Sequence, residues 1–284
     1  MNVAVVGLGL IGGSFCKAIK KYTDHAVFGI DTDPETIQMA LDCKAIDAQI
    51  APEELGQMDF TIVSLHPQQT IDFIVEHATC FKKGSLVMDT CGVKTAIVEA
   101  VTKPLAEQGV LFVGCHPMAG REFSGFAYSL DNLYEHASFI ITPQDNTPAH
   151  IIEFIKYFAQ KLQFEKVVVS TPEEHDRVIA FTSQLAHVVS NAYIKSPSLQ
   201  QQAGFSAGSF LDLTRVAKLN EDMWTSLFMM NKGPLIYEID TIIEKLTEYK
   251  DAMLDGDSER LRTLLREGRI LKEESLKKQQ SSKE

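Results

Sequence analysis

The amino-acid sequence predicts a doubly wound, mostly parallel α/β sheet followed by an all-helical region. Three observations carry that expectation. The first half alternates short, solidly apolar runs with helical stretches, the pattern of parallel strands covered on both faces. A glycine-rich turn stands directly between the first apolar run and the first helical stretch. Beyond about residue 170 the β-rich runs stop and helical periodicity takes over.

Taken in order, residues 3–6, 26–30, 60–65, 86–89, 111–114, 139–142 and 167–170 read as strands, being short and rich in β-branched and apolar residues. Residues 11–21, 34–43, 68–80 and 94–102 carry helical periodicity between the early strands. Thr171 before Pro172, with Glu173 and Glu174 following, is a helix start. Long helical patterns then cover residues 172–195, 209–219, 220–254 and 258–278. The change of pattern places a domain boundary at residue 169, dividing the chain into 1–169 and 170–284.

At 45% hydrophobic and 23% charged residues, the 284-residue chain has enough apolar material for a core without metals or disulfides. The five cysteines form an odd set with no Cys-x-x-Cys pair, so neither a metal site nor a disulfide framework is expected. That usage suits a reducing, cytoplasmic compartment. Met1-Asn2 runs straight into the first strand, with no basic leader pattern expected ahead of it. A net charge of −11 disfavours nucleic acid and acidic membranes as partners. No apolar run has the length of a membrane span. A small anionic ligand would need cations gathered locally.

Gly7-Leu8-Gly9-Leu10-Ile11-Gly12 follows the first strand and opens a helix. Gly7 suits the tight turn, Gly9 a close approach of backbone to a pyrophosphate, and Gly12 close packing of helix on strand. The helix start offers N–H groups and partial positive charge to phosphates. Asp31 ends the second strand, just over twenty residues after Gly7, where an acid binds adenosine ribose hydroxyls and repels a 2′-phosphate. These residues predict a dinucleotide site for NAD. The competing reading of Asp31 is a surface acid beside a glycine turn. The residues alone do not select a reaction, since many oxidoreductases share this plan.

Four further segments narrow the choice. Asp89-Thr90-Cys91-Gly92-Val93-Lys94 and Gly114-Cys115-His116-Pro117-Met118-Ala119-Gly120-Arg121-Glu122 both follow strands, and ligands of open α/β sheets bind at strand C-termini. Thr182-Ser183-Gln184-Leu185-Ala186-His187 lies inside a helix, and Phe210-Leu211-Asp212-Leu213-Thr214-Arg215 follows later. Ser183, Gln184, His187 and Asn191 make one polar stripe on an otherwise apolar helix. Buried polar groups need partners, and a substrate crevice would supply them.

Together with Ser129-Leu130-Asp131-Asn132-Leu133-Tyr134, Pro172-Glu173-Glu174-His175-Asp176 and Met223-Trp224, these segments resemble the prephenate/arogenate dehydrogenase family over nearly the whole chain. The resemblance implies a Rossmann-like domain followed by a helical dimerisation domain, and so a homodimer. It implies oxidation and decarboxylation of a cyclohexadienol dicarboxylate on the route to tyrosine, with prephenate as substrate and arogenate as the alternative. It assigns His116 as the general base. Arg215 binds a substrate carboxylate, and His187, Ser183 and Glu122 contact substrate or its surroundings. A neutral imidazole suits proton removal near physiological pH, and a guanidinium suits bidentate capture of a carboxylate. The plainer readings are a turn-capping His116, an Arg215 paired with Asp212, and a His187 bonded to backbone. Lys94 reads as a solvated lysine, with a place near the cofactor or substrate as the alternative.

The match breaks at Gly92, where the family commonly has a serine that bonds the substrate hydroxyl. Cys91, Thr90, a water or a backbone N–H is left to stand in. A β-hydroxyacid dehydrogenase is disfavoured, because the helix over 172–195 offers lysine only at its end. A catalytically silent NAD-binding scaffold is the rival from another class.

Overall fold

The computed structural model describes residues 1–121 and 123–281. It forms two compact units, Met1–Lys232 and the remainder from Gly233 onward.

The first unit is built on an eight-stranded sheet in the order β3-β2-β1-β4-β5-β6-β7-β8. The strands are β1 (Asn2–Val6), β2 (Ala26–Ile30), β3 (Ala48–Gln49), β4 (Phe60–Val63), β5 (Leu86–Asp89), β6 (Leu111–Pro117), β7 (Ser138–Thr142) and β8 (Lys166–Val169). Helices α1 (Leu10–Tyr22), α2 (Pro34–Asp42), α3 (Pro67–Glu76), α4 (Thr95–Glu107) and α5 (Ala149–Lys161) connect them. Every ladder is parallel except β6 with β7. The order reverses at β1, which lies between β2 and β4, and that reversal opens a crevice beyond the strand C-termini.

Alternate residues of the central strands feed two separate cores. Val3, Val5, Ile62, Met88 and Val113 belong to one, whereas Ala4, Val6, Val63, Val87 and Phe112 belong to the other. This is why the strands read as unbroken apolar runs: both faces are covered.

After β8 the first unit is helical. Helix α6 (Pro172–Ile179) starts as expected, with the Thr171 hydroxyl accepting from the Glu174 N–H. It then passes through a π-helical stretch, Ala180–Gln184, into α7 (Leu185–Tyr193). Next come α8 (Gly208–Thr214), a short 3₁₀ turn at Arg215–Ala217, and α9 (Glu221–Met230). Helix α10 (Lys232–Leu254) carries the chain into the second unit. There the left-handed Gly256 (φ +67°) precedes α11 (Ser258–Ser281), and Tyr249 donates to the Leu264 carbonyl at 3.3 Å.

The architecture is the expected one, with local differences that have physical causes. β3 was not expected, since two residues are too few to show a pattern. The helix α5 was not expected either. β6 runs to Pro117, past the predicted end at residue 114, because Gly114, Cys115, His116 and Pro117 pair with Thr142, Ile141, Ile140 and Phe139. The long pattern over 220–254 breaks at Asn231, whose side chain is buried and hydrogen-bonded elsewhere.

Candidate active site

The glycine turn behaves as its spacing requires. Gly7 has φ +82°, and a Cβ there would lie 2.6 Å from the Ser64 carbonyl oxygen. A Cβ on Gly12 would lie 1.9 Å from the Gly7 carbonyl oxygen, whereas one on Gly9 would meet nothing within 4 Å. So Gly7 and Gly12 are needed for close packing, and Gly9 leaves room for a ligand to approach. Gly9 precedes α1 without a side-chain cap, and the first turn at Leu10 and Ile11 holds no acid. Its N–H groups are therefore suited to an anion.

Asp31 accepts from the Leu8 N–H at 2.7 Å and from the Asp33 N–H at 2.9 Å. A carboxylate has about four acceptor positions, so these two bonds orient Asp31 and leave capacity for ribose hydroxyls. Gly7, Leu8, Gly9, Leu10, Ile11, Gly12 and Asp31 thus form one continuous lip, and the residues fit a dinucleotide.

The lip continues along the strand ends. The Thr90 hydroxyl donates to the Ser64 Oγ at 3.1 Å. Two residues on, a Cβ placed on Gly92 would lie 3.8 Å from the Nε2 and Cε1 of His116 and 3.6 Å from Leu227 on α9. The imidazole of His116 therefore presents Nε2 toward Gly92.

Its other nitrogen is held from behind. Nδ1 lies 2.9 Å from the Nε2 of His175, and the Nδ1 of His175 lies 2.8 Å from an Asp176 carboxylate oxygen. Asp176 also accepts from the backbone N–H groups of Lys94 and Thr95, each at 2.8 Å. Burial pushes the Asp176 carboxyl up, but the hydrogen bonds from His175, Thr95 and Lys94 outweigh it and hold the pKa below the usual carboxylate value. Burial first, then the proximity of His175 and the charge of Lys94, hold His116 well below the ordinary imidazole pKa. His175 is also depressed, chiefly by burial. Both rings are neutral at pH 7.

Lys94 corrects an expectation. Its ammonium is fully buried, paired with the equally buried Asp89, and donates to the Cys115 carbonyl at 2.6 Å. Asp89 in turn accepts from the Cys115 and Cys91 N–H groups. A buried charge is tolerated only when paired and fully hydrogen-bonded, and this pair ties β5 to β6 next to His116. The side-chain stand-ins for the missing serine are also engaged within the protein. Thr90 is bonded to Ser64, and the Cys91 thiol turns toward Thr70 and the Leu65 carbonyl. Burial pushes that thiol up to about 12.

The helical half gathers a second group. The Nδ1 of His187 lies 3.0 Å from the Ser183 carbonyl, so Ser183 contributes its backbone there. The His187 ring stacks on Trp224 with centroids 3.7 Å apart. Burial lowers the His187 pKa, and the charge of Arg215 lowers it further, which brings these two predicted residues into one neighbourhood. The predicted polar stripe divides in function. Gln184 accepts from Asn231 at 2.8 Å inside the protein, and Asn191 donates to the Ala217 carbonyl. Glu122 lies outside the described residues.

Helix α9 joins the two halves. Trp224 meets His187, Leu227 borders Gly92, and Asn231 just beyond donates to the Asp176 carbonyl. Sequence reasoning missed the roles of His175 and Asp176, quoting them only within a segment that carries the family resemblance. A signal was present: Pro172, His175, Asp176 and Ile179 form the buried face of α6. Two polar residues on such a face imply a polar partner.

The arrangement offers a neutral base at a strand end, a dinucleotide lip on the same sheet edge, and a cation beside an aromatic wall. Among the described residues no group of His, Cys, Asp and Glu is placed to hold a metal ion, and no helix is long and apolar enough to cross a membrane.

Residues 15–170 match the family described as the nucleotide-binding domain of prephenate dehydrogenase, and residues 171–267 match its dimerization domain. The prephenate dehydrogenase of Bacillus subtilis (strain 168) is 30% identical over 269 residues, which span 92% of this chain and 72% of that protein. The cyclohexadienyl dehydrogenase of Zymomonas mobilis is 26% identical over 92% of this chain and 91% of that protein. A crystal structure of prephenate dehydrogenase from A. aeolicus, in complex with hydroxyphenyl propionate and NAD+, superposes with a TM-score of 0.84. It is 29% identical and covers 96% of this chain and 98% of its own.

Proposed function

The chain belongs to the prephenate dehydrogenase family, and from that premise we propose that it oxidises and decarboxylates prephenate, with NAD as cofactor and His116 as general base. The observation that supports this most is the row of strand ends. Gly7 follows β1, Ser64 follows β4, residues 90–92 follow β5, and His116 lies near the end of β6, in neighbouring positions of one sheet. A base and a dinucleotide lip on one edge suit removal of a proton from an alcohol hydroxyl and of a hydride from the carbon that bears it.

The glycine turn and Asp31 hold NAD, which when bound supplies the hydride acceptor, and the charge of Asp31 disfavours a 2′-phosphate. His116 takes the hydroxyl proton at Nε2 as the carbinol carbon is oxidised. Release of the ring carboxylate as carbon dioxide makes the ring aromatic, leaving 4-hydroxyphenylpyruvate for tyrosine synthesis. Arg215 holds a carboxylate of the dianionic substrate. His187 and Ser183 border that carboxylate, and Glu122 is assigned a gating or polar contact elsewhere in the site. The rings of Trp224 and His187 form an aromatic wall for the cyclohexadienyl ring.

Arogenate, the same ring with an amino acid side chain in place of the keto acid, is the alternative substrate. The deciding experiment follows NADH formation and carbon dioxide release with each compound. A higher kcat/KM with prephenate supports the assignment, and a higher value with arogenate moves it to that substrate. No NADH with either would leave a binding protein without turnover.

The active form is a homodimer assembled through the helical region. Ile243, Leu246, Leu254 and Leu265 are each more than half exposed on the second unit, and a two-fold partner is the economical cover for such side chains. A monomeric mass by sedimentation would contradict this. The free cysteines and the proposed biosynthetic role support a cytoplasmic location.

A further inference from the structure

The chain His116–His175–Asp176 fixes more than a position. The two Asp176 oxygens accept from the Lys94 and Thr95 N–H groups, and an ionised carboxylate only accepts. The Nδ1 of His175, 2.8 Å from that carboxylate, must therefore carry the hydrogen. In a neutral ring the Nε2 of His175 is then a bare acceptor. The Nδ1 of His116, 2.9 Å away, must donate to it. The neutral His116 ring is left with its lone pair on Nε2, the atom that faces Gly92.

We propose that His175, oriented by Asp176, is a positioning residue that selects the Nδ1–H tautomer of His116 and so turns the basic nitrogen toward the substrate. The inference rests on His116 being the base. It assigns work to two residues that touch neither substrate nor cofactor. It also explains how a site without the family serine keeps its base directed: the tautomer is set from behind the ring. When Nε2 takes the substrate proton, Nδ1 keeps donating to His175, and the Asp176 carboxylate faces the new positive charge through that ring. If His175 were itself protonated, both its nitrogens would donate. His116 would then have to accept at Nδ1 and carry its hydrogen on Nε2, where no base would remain. A base held in the wrong tautomer loses orders of magnitude in rate.

The groups facing this pair are Asp176 and Lys94, with Asp89 paired to Lys94 behind them. Lys94 opposes protonation of both rings, and burial does the same.

The test begins with the unaltered protein labelled with ¹⁵N-histidine at pH 7.5. The His116 signals, assigned by their loss in His116→Asn, should show a protonated Nδ1 and an unprotonated Nε2. The opposite tautomer overturns the proposal whatever any variant does. The second arm compares His175→Gln, whose amide oxygen can still accept from His116, with His175→Leu, which accepts nothing. The leucine variant should lose about a hundredfold in kcat, with KM for prephenate and NAD within about threefold. The glutamine variant should recover at least about tenfold of that loss. Equal turnover in the two variants, or wild-type turnover in the leucine variant, overturns the proposal. Should His116→Asn keep full turnover, the assignment of the base fails instead.

Discussion

The strand-built half of the site and the helix-built half each hold a neutral histidine, by different means. His116 sits on β6 with its Nδ1 against another side chain, which is backed by a carboxylate and flanked by the buried Lys94–Asp89 pair. His187 sits on α7 with its Nδ1 against the Ser183 carbonyl four residues back in the same helix, its ring on Trp224 and Arg215 nearby. The first arrangement is long-range, with buried charged groups behind a part-buried ring. The second is local and partly exposed. On the proposed roles, the difference separates two tasks. A reacting base needs a tautomer and a pKa that its surroundings impose, and buried charges impose them strongly. A binding residue needs orientation, which a backbone carbonyl and a stacked ring provide without buried charge.

The contrast makes predictions of graded size. The largest is for His116→Asn, which should reduce kcat about a thousandfold while NAD affinity, measured by fluorescence titration, stays unchanged; surviving turnover would remove the distinction between the two histidines. Next is Lys94→Met. Stripping one partner from a buried ion pair costs about 3–5 kcal/mol, so the urea midpoint should fall sharply, and a midpoint equal to wild type would mean the pair is not confined as the structure has it. On the helical side, Arg215→Ala should raise the KM for prephenate by roughly tenfold or more, the worth of one charged hydrogen bond, with kcat altered little. An unchanged KM would take Arg215 out of carboxylate binding.

A smaller effect concerns pH. His116 and His175 have folded pKa values below the ordinary 6.5, through burial first. Below 6.5 the unfolded chain then binds more protons than the folded one, so their stabilisation is complete above that pH and declines as pH falls through it. His187 and His25 act in the same direction. Denaturant midpoints should drop between pH 7.5 and pH 5.5, and a flat profile would mean that the rings are not held neutral. The smallest effect is expected of Gly92→Ser. A Cβ there meets only ordinary contacts at 3.6 and 3.8 Å, and one added neutral hydrogen bond is worth about 1 kcal/mol. Activity should stay within about tenfold, and a greater loss would show that the backbone of Gly92 is itself used.

Some of this site was legible before any fold was known, and the reason differs by residue. The Gly7 turn is local, with strand, turn and helix consecutive in the chain. His116 was recognisable from a short segment after a strand, and Arg215 from a short segment in a helix. Lys94 was misread, because a lysine beside a helix start has no local mark of burial; its partner Asp89 and the Cys115 carbonyl come from neighbouring strands. The two polar residues of α6 were passed over because their role depends on β6 and on the start of α4. Gln184 was placed in a substrate-facing stripe, yet its partner is Asn231, 47 residues away.

The sequence by itself determined the alternation of strands and helices, the dinucleotide turn with its acid, and the residue types available for proton and carboxylate chemistry. These follow from periodicity and from short-range geometry, which neighbouring residues enforce on one another. Only the tertiary structure decided which nitrogen of His116 faces outward, because the group behind it, His175, is 59 residues further along the chain. The state of a buried hydrogen bond depends on every donor and acceptor that packing brings to it, and that set is not contiguous in any chain.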